Sequence, residues 1–422
     1  MRILGIESSC DETAASVVED GRVLLSNVVN SQIDIHALYG GVVPEVAARS
    51  HIEVINPVIN QALKDANLTW NDIDAIAVTY APGLIGSLLV GTLAARTLAL
   101  LKNKPLYPIH HVEAHVYSNF ITEARQRELA LNRQDNLQPE SDKASGPLII
   151  HGAKPDLSIQ SQTSDQSKFD SGAKPFASSV IRGDDQSTMI FPSKQPTFPM
   201  LALIVSGGHS QLVLFKDHGD YELLGQTQDD AVGEAFDKVA KILGLPYPGG
   251  VSIDKLAPEG DPLKYKFPKA KMQHPYGFSF SGLKTAVLRA VQREVGVDFT
   301  FPSHELAARL NDVQRADFAA SFQRIAFETL VDKAEKAFQE YAPKSVVIAG
   351  GVAASSALRD VLSARLPVKI EYAPRKLCTD NAAMIATLGY FYSRKKQPTD
   401  PLDLEVVPSL SMTKTAWNKS LS

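Results

Sequence analysis

The chain of 422 residues carries 43 Lys and Arg against 47 Asp and Glu, a formal net charge of −4, with 44% hydrophobic and 21% charged residues. That balance is ordinary for a globular protein long enough for two or three cores, and it excludes recruitment of nucleic acid by bulk charge, so any such surface is local. Two cysteines far apart, Cys10 and Cys378, exclude a disulfide framework and fit a reducing cytoplasm, and the N-terminal stretch shows no basic-then-apolar leader pattern.

Met1 to Glu7 reads as a short apolar strand, followed by a polar turn over Ser8 to Thr13. Ala14 to Glu19 resumes as a strand, Asp20-Gly21 supplies a hairpin turn, and Arg22 to Val29 returns as a third strand. Gly40 to Glu45 leads into a helix over Val46 to Ala66, where Pro57 predicts a kink or break. Asp72 to Tyr80 is a strand. The apolar run Leu84 to Leu101 has the length of a membrane span. Arg96 interrupts it and small residues line it, so it reads as a buried helix instead. No GxxxxGK[ST] occurs, which leaves a P-loop nucleotide site unsupported.

Leu106 to Ile109 is a short strand entering His110-His111-Val112-Glu113-Ala114-His115. Histidines four apart stand on one helix face, one turn above the other, so His111 and His115 can reach one cation. Two ligands rarely suffice, and the best third candidate is Asp380, in Cys378-Thr379-Asp380-Asn381.

From Glu123 to Pro199 the composition turns to Ser, Gln, Asp, Lys and Pro, without Trp or Tyr, and Gly-Ala-Lys-Pro occurs at 152–155 and again at 172–175. Few residues there can fill a core, so the stretch reads as a disordered or loose insertion, with Leu148 to Ile150 the one piece suited to docking. The second half then repeats the first. Strands are expected at Met200–Val205, Gln211–Phe215, Tyr221–Gln226, Val346–Ile348 and Val368–Tyr372. Helices are expected at Ala231–Leu243, within Ser303–Tyr341 and at Asp380–Tyr390. A meander followed by alternating helix and strand, met twice, predicts a duplicated α/β fold with the site in the cleft between copies. The expected layout is a first lobe over 1–122, the insertion over 123–199, a second lobe over 200–395 whose final helices pack back on the first, and a tail over 396–422.

Eight motifs stand in order: Ser9-Cys10-Asp11-Glu12-Thr13, Gly41 to Glu45, His111 to His115, Val205 to His209, Gly233 to Lys238, Tyr247 to Gly250, Phe278 to Thr285 and Cys378 to Asn381. In these the chain closely resembles the bacterial TsaD family, the tRNA N6-adenosine threonylcarbamoyltransferases. The resemblance implies the two-lobed actin-like ATPase fold shared with sugar kinases and heat-shock chaperones. It implies transfer of threonylcarbamoyl from threonylcarbamoyl-AMP to N6 of adenosine 37 in tRNAs reading codons that begin with A, releasing AMP. It places metal ligands on His111, His115 and Asp380, with Fe2+ first and Zn2+ as the alternative. Substrate positions fall on Ile204, Val205, Ser206, Gly207, Gly208, Asp237, Gly250 and Asp254. The implied partners are tRNA, a paralogous actin-like subunit (TsaB) and a P-loop ATPase (TsaE), with no membrane. Ser355 stands where the family has Asn, so one nucleotide contact is expected to weaken or pass through water.

The chemistry sets its own demands. An exocyclic adenine amine is a poor nucleophile, and Asp11 and Glu12, on the first polar turn, are expected to orient or deprotonate it. Val205 to His209 and Gly249-Gly250 suit backbone amides near phosphate, and Asp237 and Asp254 suit ribose hydroxyls. By spacing alone Asp237 would instead pair with Lys241. Lys264 to Arg293 is basic with interleaved aromatics and suits an anticodon loop, and Lys284 suits charge neutralisation in the cleft. The rivals are a zinc metalloprotease, which wants glutamate where Val112 stands, and an actin-like ATPase or sugar kinase, which has no need of paired histidines.

Overall fold

The computed structural model describes residues 1–125 and 189–414. Short runs of mostly apolar residues build a first sheet from an antiparallel meander, β1 (Arg2–Glu7), β2 (Glu12–Glu19) and β3 (Val23–Ser31). β4 (Ala75–Ala81) and β5 (Leu106–His110) add in parallel beside β1, and the short β6 (Glu123–Ala124) pairs with β3. β1 and β2 are buried almost throughout, as strands covered on both faces must be.

The second sheet repeats the plan. β7 (Met200–Val205), β8 (Ser210–Asp217) and β9 (Asp220–Gln226) form the meander, and β10 (Ser345–Ala349) runs parallel to β7. The strand expected at Val368–Tyr372 does not form a ladder. Side chains hold that segment instead: Asn119 accepts from the Ala373 amide at 3.2 Å, and Ser193 donates to Glu371. Pro367 and Pro374 bracket it and limit its pairing.

α1 (Ile33–Ala37) follows β3, and on the first sheet lie α2 (Pro44–Asp65) and α3 (Ile85–Lys102), with α2 against β2 and β3 and α3 against β4. α2 continues through Pro57, correcting the expected break. Pro57 and Glu53 lie on its exposed face, where water can take the carbonyl that proline leaves unpaired. α3 is a second correction. Only 33% of it is buried, and Ile85, Leu89, Leu93, Leu100 and Leu101 face outward.

The remaining α-helices among the described residues are α4 (His111–Tyr117), α5 (Val232–Leu243), α6 (Gly249–Leu256), α7 (Ser281–Glu294), α8 (Asp312–Tyr341), α9 (Ser356–Arg365) and α10 (Ala382–Ser393). By sequence α10 follows the second sheet, yet it packs on β1, β2, β4 and α4. The approach is close because strand and helix both offer glycine. A Cβ on Gly5 would sit 2.2 Å from the Ala382 carbonyl oxygen, and one on Gly389 would sit 2.5 Å from Ala77 Cβ. Gly5→Ala is therefore expected to push α10 outward at about 1–3 kcal/mol, the usual cost of overpacking. A urea melt with a lowered midpoint and unchanged slope is the expected result; an unchanged midpoint would count against this contact.

Two stretches assigned by composition need revising. Residues 189–199 were expected in the insertion, but Met189, Phe191 and Phe198 pack on the core between the sheets. Gln195 donates to the Phe120 carbonyl at 2.9 Å. The Gly-Ala-Lys-Pro repeats and Leu148 to Ile150 lie outside the described residues. The C-terminal segment folds back on the first sheet, with the Thr399 amide on Leu106 O at 2.9 Å and the Val407 amide on Tyr80 O at 3.0 Å.

Candidate metal and substrate site

β5 ends at His110, which caps α4. Its Nε2 donates to the Leu410 carbonyl at 3.0 Å and its Nδ1 accepts from the Glu113 amide at 3.4 Å. Burial pushes its pKa down to about 4, so it stays a neutral cap. His111 and His115 follow on the inner face of α4, their rings edge to face at 4.6 Å between centroids.

Asp380 comes to them from the far end of the chain because α10 crosses to the first sheet. Its Oδ1 lies 3.6 Å from His111 Nε2 and 3.3 Å from His115 Nε2. Asn381, the cap of α10, fixes the turn that presents it, accepting from the Met384 amide at 3.0 Å and donating to Leu377 O at 3.0 Å and Thr379 O at 2.8 Å. One ligand atom from each of His111, His115 and Asp380 lies within 4.8 Å of the others.

The donor set fits a divalent cation. His115 is 1% exposed and neither of its ring nitrogens makes a hydrogen bond. A buried polar atom left so costs about 1–3 kcal/mol, and a cation would remove that cost. Two imidazoles with one carboxylate are ligands of iron or zinc sites that keep positions open. Burial works against charge here, but Glu7 and Asp380 raise the His111 pKa to about 9, and the two histidines hold Asp380 well below the ordinary carboxylate range.

Asp11 and Glu12 sit where β1 turns into β2. His51 of α2 anchors that turn, donating from Nε2 to Cys10 O at 3.0 Å, with its Nδ1 2.7 Å from the Thr13 hydroxyl. Ser87 of α3 donates to the same carbonyl at 2.9 Å. Burial pushes the Glu12 pKa well up, and the neighbouring charges of Asp380 and Asp11 push it further.

The second half presents the turn Ser206 to His209, closed by the Ser206 amide on His209 O at 2.8 Å. Ile204 and Val205 are fully buried, so only their main chain can meet a ligand. Gly207, Gly208 and Gly250 have open space where a Cβ would stand. Burial pushes His209 to a pKa of about 3, helped by the nearby rings of His111 and His115, and β7, the strand that enters the turn, packs against α4.

α5 abuts this turn through Gly233, whose Cβ would meet Ser206 O at 2.6 Å. Asp237 then reaches from α5 to the Gly249 amide at 2.7 Å, capping α6 rather than pairing along its own helix. Asp254 of α6 accepts from Ser355 Oγ at 2.7 Å and from Gln323 Nε2 at 2.9 Å. Ser355, the cap of α9, is thus tied to Asp254. The structure joins Ser206 to Gly208, Asp237, Gly250, Asp254 and Ser355 into one wall built on α5 and α6.

The basic stretch is not arranged as expected. Phe267, Tyr276, Phe278 and Phe280 are buried, and Tyr265 stacks on Phe318 at 3.8 Å. Packing claims these rings, so they offer no stacking face to a nucleotide. Lys269 is held by Glu328 and Asp332, and Lys284 by Asp230, while Lys264, Lys266 and Lys271 remain exposed. Glu113 points away from the histidines and accepts from Tyr221 at 3.1 Å and Tyr392 at 3.0 Å, which removes the protease arrangement. Sequence reasoning missed Glu7, His51, Gln323 and the capping role of Asn381. Glu7 alone carried a signal, a carboxylate ending an otherwise apolar strand.

The family model for TsaD, tRNA N6-adenosine threonylcarbamoyltransferase, matches residues 23–131 and 186–387. The tRNA N6-adenosine threonylcarbamoyltransferase of Thermomicrobium roseum is 43% identical over 413 residues, covering 96% of this chain and 95% of that one. That of Symbiobacterium thermophilum is 44% identical over 413 residues, covering 97% and 96%. Among solved structures, the (R)-2-hydroxyglutaryl-CoA dehydratase component A of Acidaminococcus fermentans aligns with TM-score 0.42 and 13% identity over 94% of this chain and all of its own. The chain belongs to the TsaD family, transferases of the duplicated actin-like fold that carry threonylcarbamoyl to N6 of a tRNA adenosine.

Proposed function

We propose that the donor is threonylcarbamoyl-AMP, that the acceptor is the adenosine beside the anticodon of tRNAs reading codons that begin with A, and that transfer takes place where the two sheets meet. The observation that carries this reading is the meeting of His111, His115 and Asp380. His111, His115 and Asp380 would hold a divalent cation, iron(II) first and zinc second, which when bound would supply Lewis acidity toward the carbamoyl carbonyl.

The chain's own groups do the rest. Main-chain amides of Ser206 to Gly208 and Gly250 take the phosphate, where the lack of side chains allows close approach. Asp237 and Asp254 take ribose hydroxyls. The N6 amine attacks the carbamoyl carbon, the bond from that carbon to the phosphate oxygen breaks, and AMP leaves with the electron pair. The amine proton passes to Asp11 or Glu12, directly or through water. The raised pKa of Glu12 suits it to hold that proton.

Ser355 enters through Asp254. Ser355→Ala removes one hydrogen bond to this carboxylate. The expected result is a donor KM raised about tenfold with kcat nearly unchanged, the scale of a hydrogen bond to a charged group. An unchanged KM would take Asp254 out of donor binding.

A paralogous actin-like subunit, TsaB, suits the apolar stripe of α3. Ile85, Leu89 and Leu93 are 61%, 41% and 53% exposed, beside Ile52 of α2 at 65%. A separate P-loop ATPase, TsaE, completes the cytoplasmic set. The test is mass analysis of tRNA nucleosides after incubation with threonylcarbamoyl-AMP and these partners. Threonylcarbamoyladenosine formed only without chelator is expected; product formed equally with chelator, or from ATP turnover alone, would overturn the reading.

A further inference from the structure

Glu7, at the end of β1, is fully buried, yet no step above uses it. Its Oε1 accepts the Ser9 amide at 2.6 Å. Its Oε2 accepts the Thr79 hydroxyl of β4 at 2.5 Å and lies 3.0 Å from His111 Nδ1. Ser9 Oγ stands 3.2 Å from the same nitrogen.

We infer that Glu7 is the positioning residue that makes His111 an Nε2 ligand, an inference that rests on the metal reading above. An ionised carboxylate only accepts, so the nitrogen facing Glu7 must carry the ring's proton. A cation then displaces the other proton, on Nε2, the atom turned toward Asp380, and meets the lone pair there. Adjoining strands β1 and β4 supply Glu7 and Thr79, so the ring is referred to the sheet itself and not to a loop.

His115 is held differently. Its Nδ1 has no hydrogen-bond partner and its Nε2 faces only its fellow ligand Asp380, at 3.3 Å, so no group behind the ring fixes its orientation. The pair is therefore asymmetric, with His111 the anchored ligand and His115 the one that adjusts to the cation. A carboxylate behind a ligating imidazole also makes it a stronger donor, and losing such a partner typically costs about 10–100-fold in metal affinity.

Glutamine at this position keeps the size but breaks the pattern. Its oxygen can face either the Ser9 amide or His111, and its NH2 then meets a donor or selects the opposite tautomer of the ring. The test titrates the full-length, chelator-stripped chain with cobalt(II), read by its visible absorption, for wild type, Glu7→Gln and Thr79→Val. The expected result is a Kd raised about 10–100-fold by Glu7→Gln, with an altered cobalt spectrum and unchanged circular dichroism. Thr79→Val, which leaves the carboxylate but removes one of its ties, should raise the Kd by a smaller factor. If wild type binds no cobalt, the metal reading itself fails. If wild type binds and Glu7→Gln binds alike with the same spectrum, the metal reading stands and the role of Glu7 is overturned. Should Glu7→Gln not fold, Thr79→Val decides: a weakened Kd supports the inference and an unchanged one overturns it.

Discussion

His115→Leu is expected to empty the site of metal and cut threonylcarbamoyl transfer by at least about 100-fold, the upper end of what even an outer metal partner costs. The same change should cost the chelated protein little stability, far less than it costs the metal-bound one. His115 is buried and neither ring nitrogen makes a well-aligned hydrogen bond. An apolar side chain of similar bulk removes these unsatisfied polar atoms, worth about 1–3 kcal/mol, which offsets the loss of the 3.3 Å contact between Nε2 and Asp380, a carboxylate that His111 still faces. With metal present the gap should widen, because only the parent gains stability from binding. Thermal unfolding of both proteins, with and without chelator, reads all four states. A residue whose work is packing would make the variant less stable by the same amount in both conditions, and that pattern would count against a ligand role.

The double change Asp11→Asn with Glu12→Gln is the second large effect. Transfer should fall by about 10²–10⁴-fold, the usual contribution of a positioned acid or base, while metal content stays at the wild-type level. The turn itself should survive, since main-chain ties hold it: His51 and Ser87 both grip the Cys10 carbonyl, and the Gln32 amide binds Asp11 O at 3.1 Å. Single-turnover assays with saturating donor separate this from weaker binding. Normal turnover by the double variant would refute the proton-handling role, and loss of metal would show that the turn shapes the cation site instead.

Much of this was legible in the sequence because it is local. Short apolar runs bounded by turn residues marked both meanders, and a spacing of four put His111 and His115 on one face. Motif order carried the family resemblance. What was not legible depends on contacts between distant segments. The run Leu84 to Leu101 looks the same by composition whether a protein core or a partner covers it, and its outward leucines appear only once β4 and α2 are in place. The aromatics of Lys264 to Arg293 looked like stacking platforms until Phe318 and the rest of the second core claimed them. The expected strand at Val368–Tyr372 has the right residues, but Pro367 and Pro374 bracket it and side-chain ties to Asn119 and Ser193 hold the segment instead of a ladder. Glu7 ends an apolar strand, and nothing near it in sequence names His111, more than a hundred positions away, as its partner. Ser355 shows the reverse case: a departure from the family residue was visible at once, but its tie to Asp254 was not.

The most direct test of the central claim is X-ray absorption at the metal edge of the anaerobically purified chain, for wild type and Asp380→Asn. Wild type should show one metal per chain with imidazole scattering from two rings and oxygen ligands at about 2.0–2.2 Å. Asp380→Asn should lower the occupancy or the oxygen shell while the imidazole signal persists in whatever metal remains. A spectrum without imidazole scattering, or one that Asp380→Asn leaves untouched in both occupancy and ligand shell, would contradict the account.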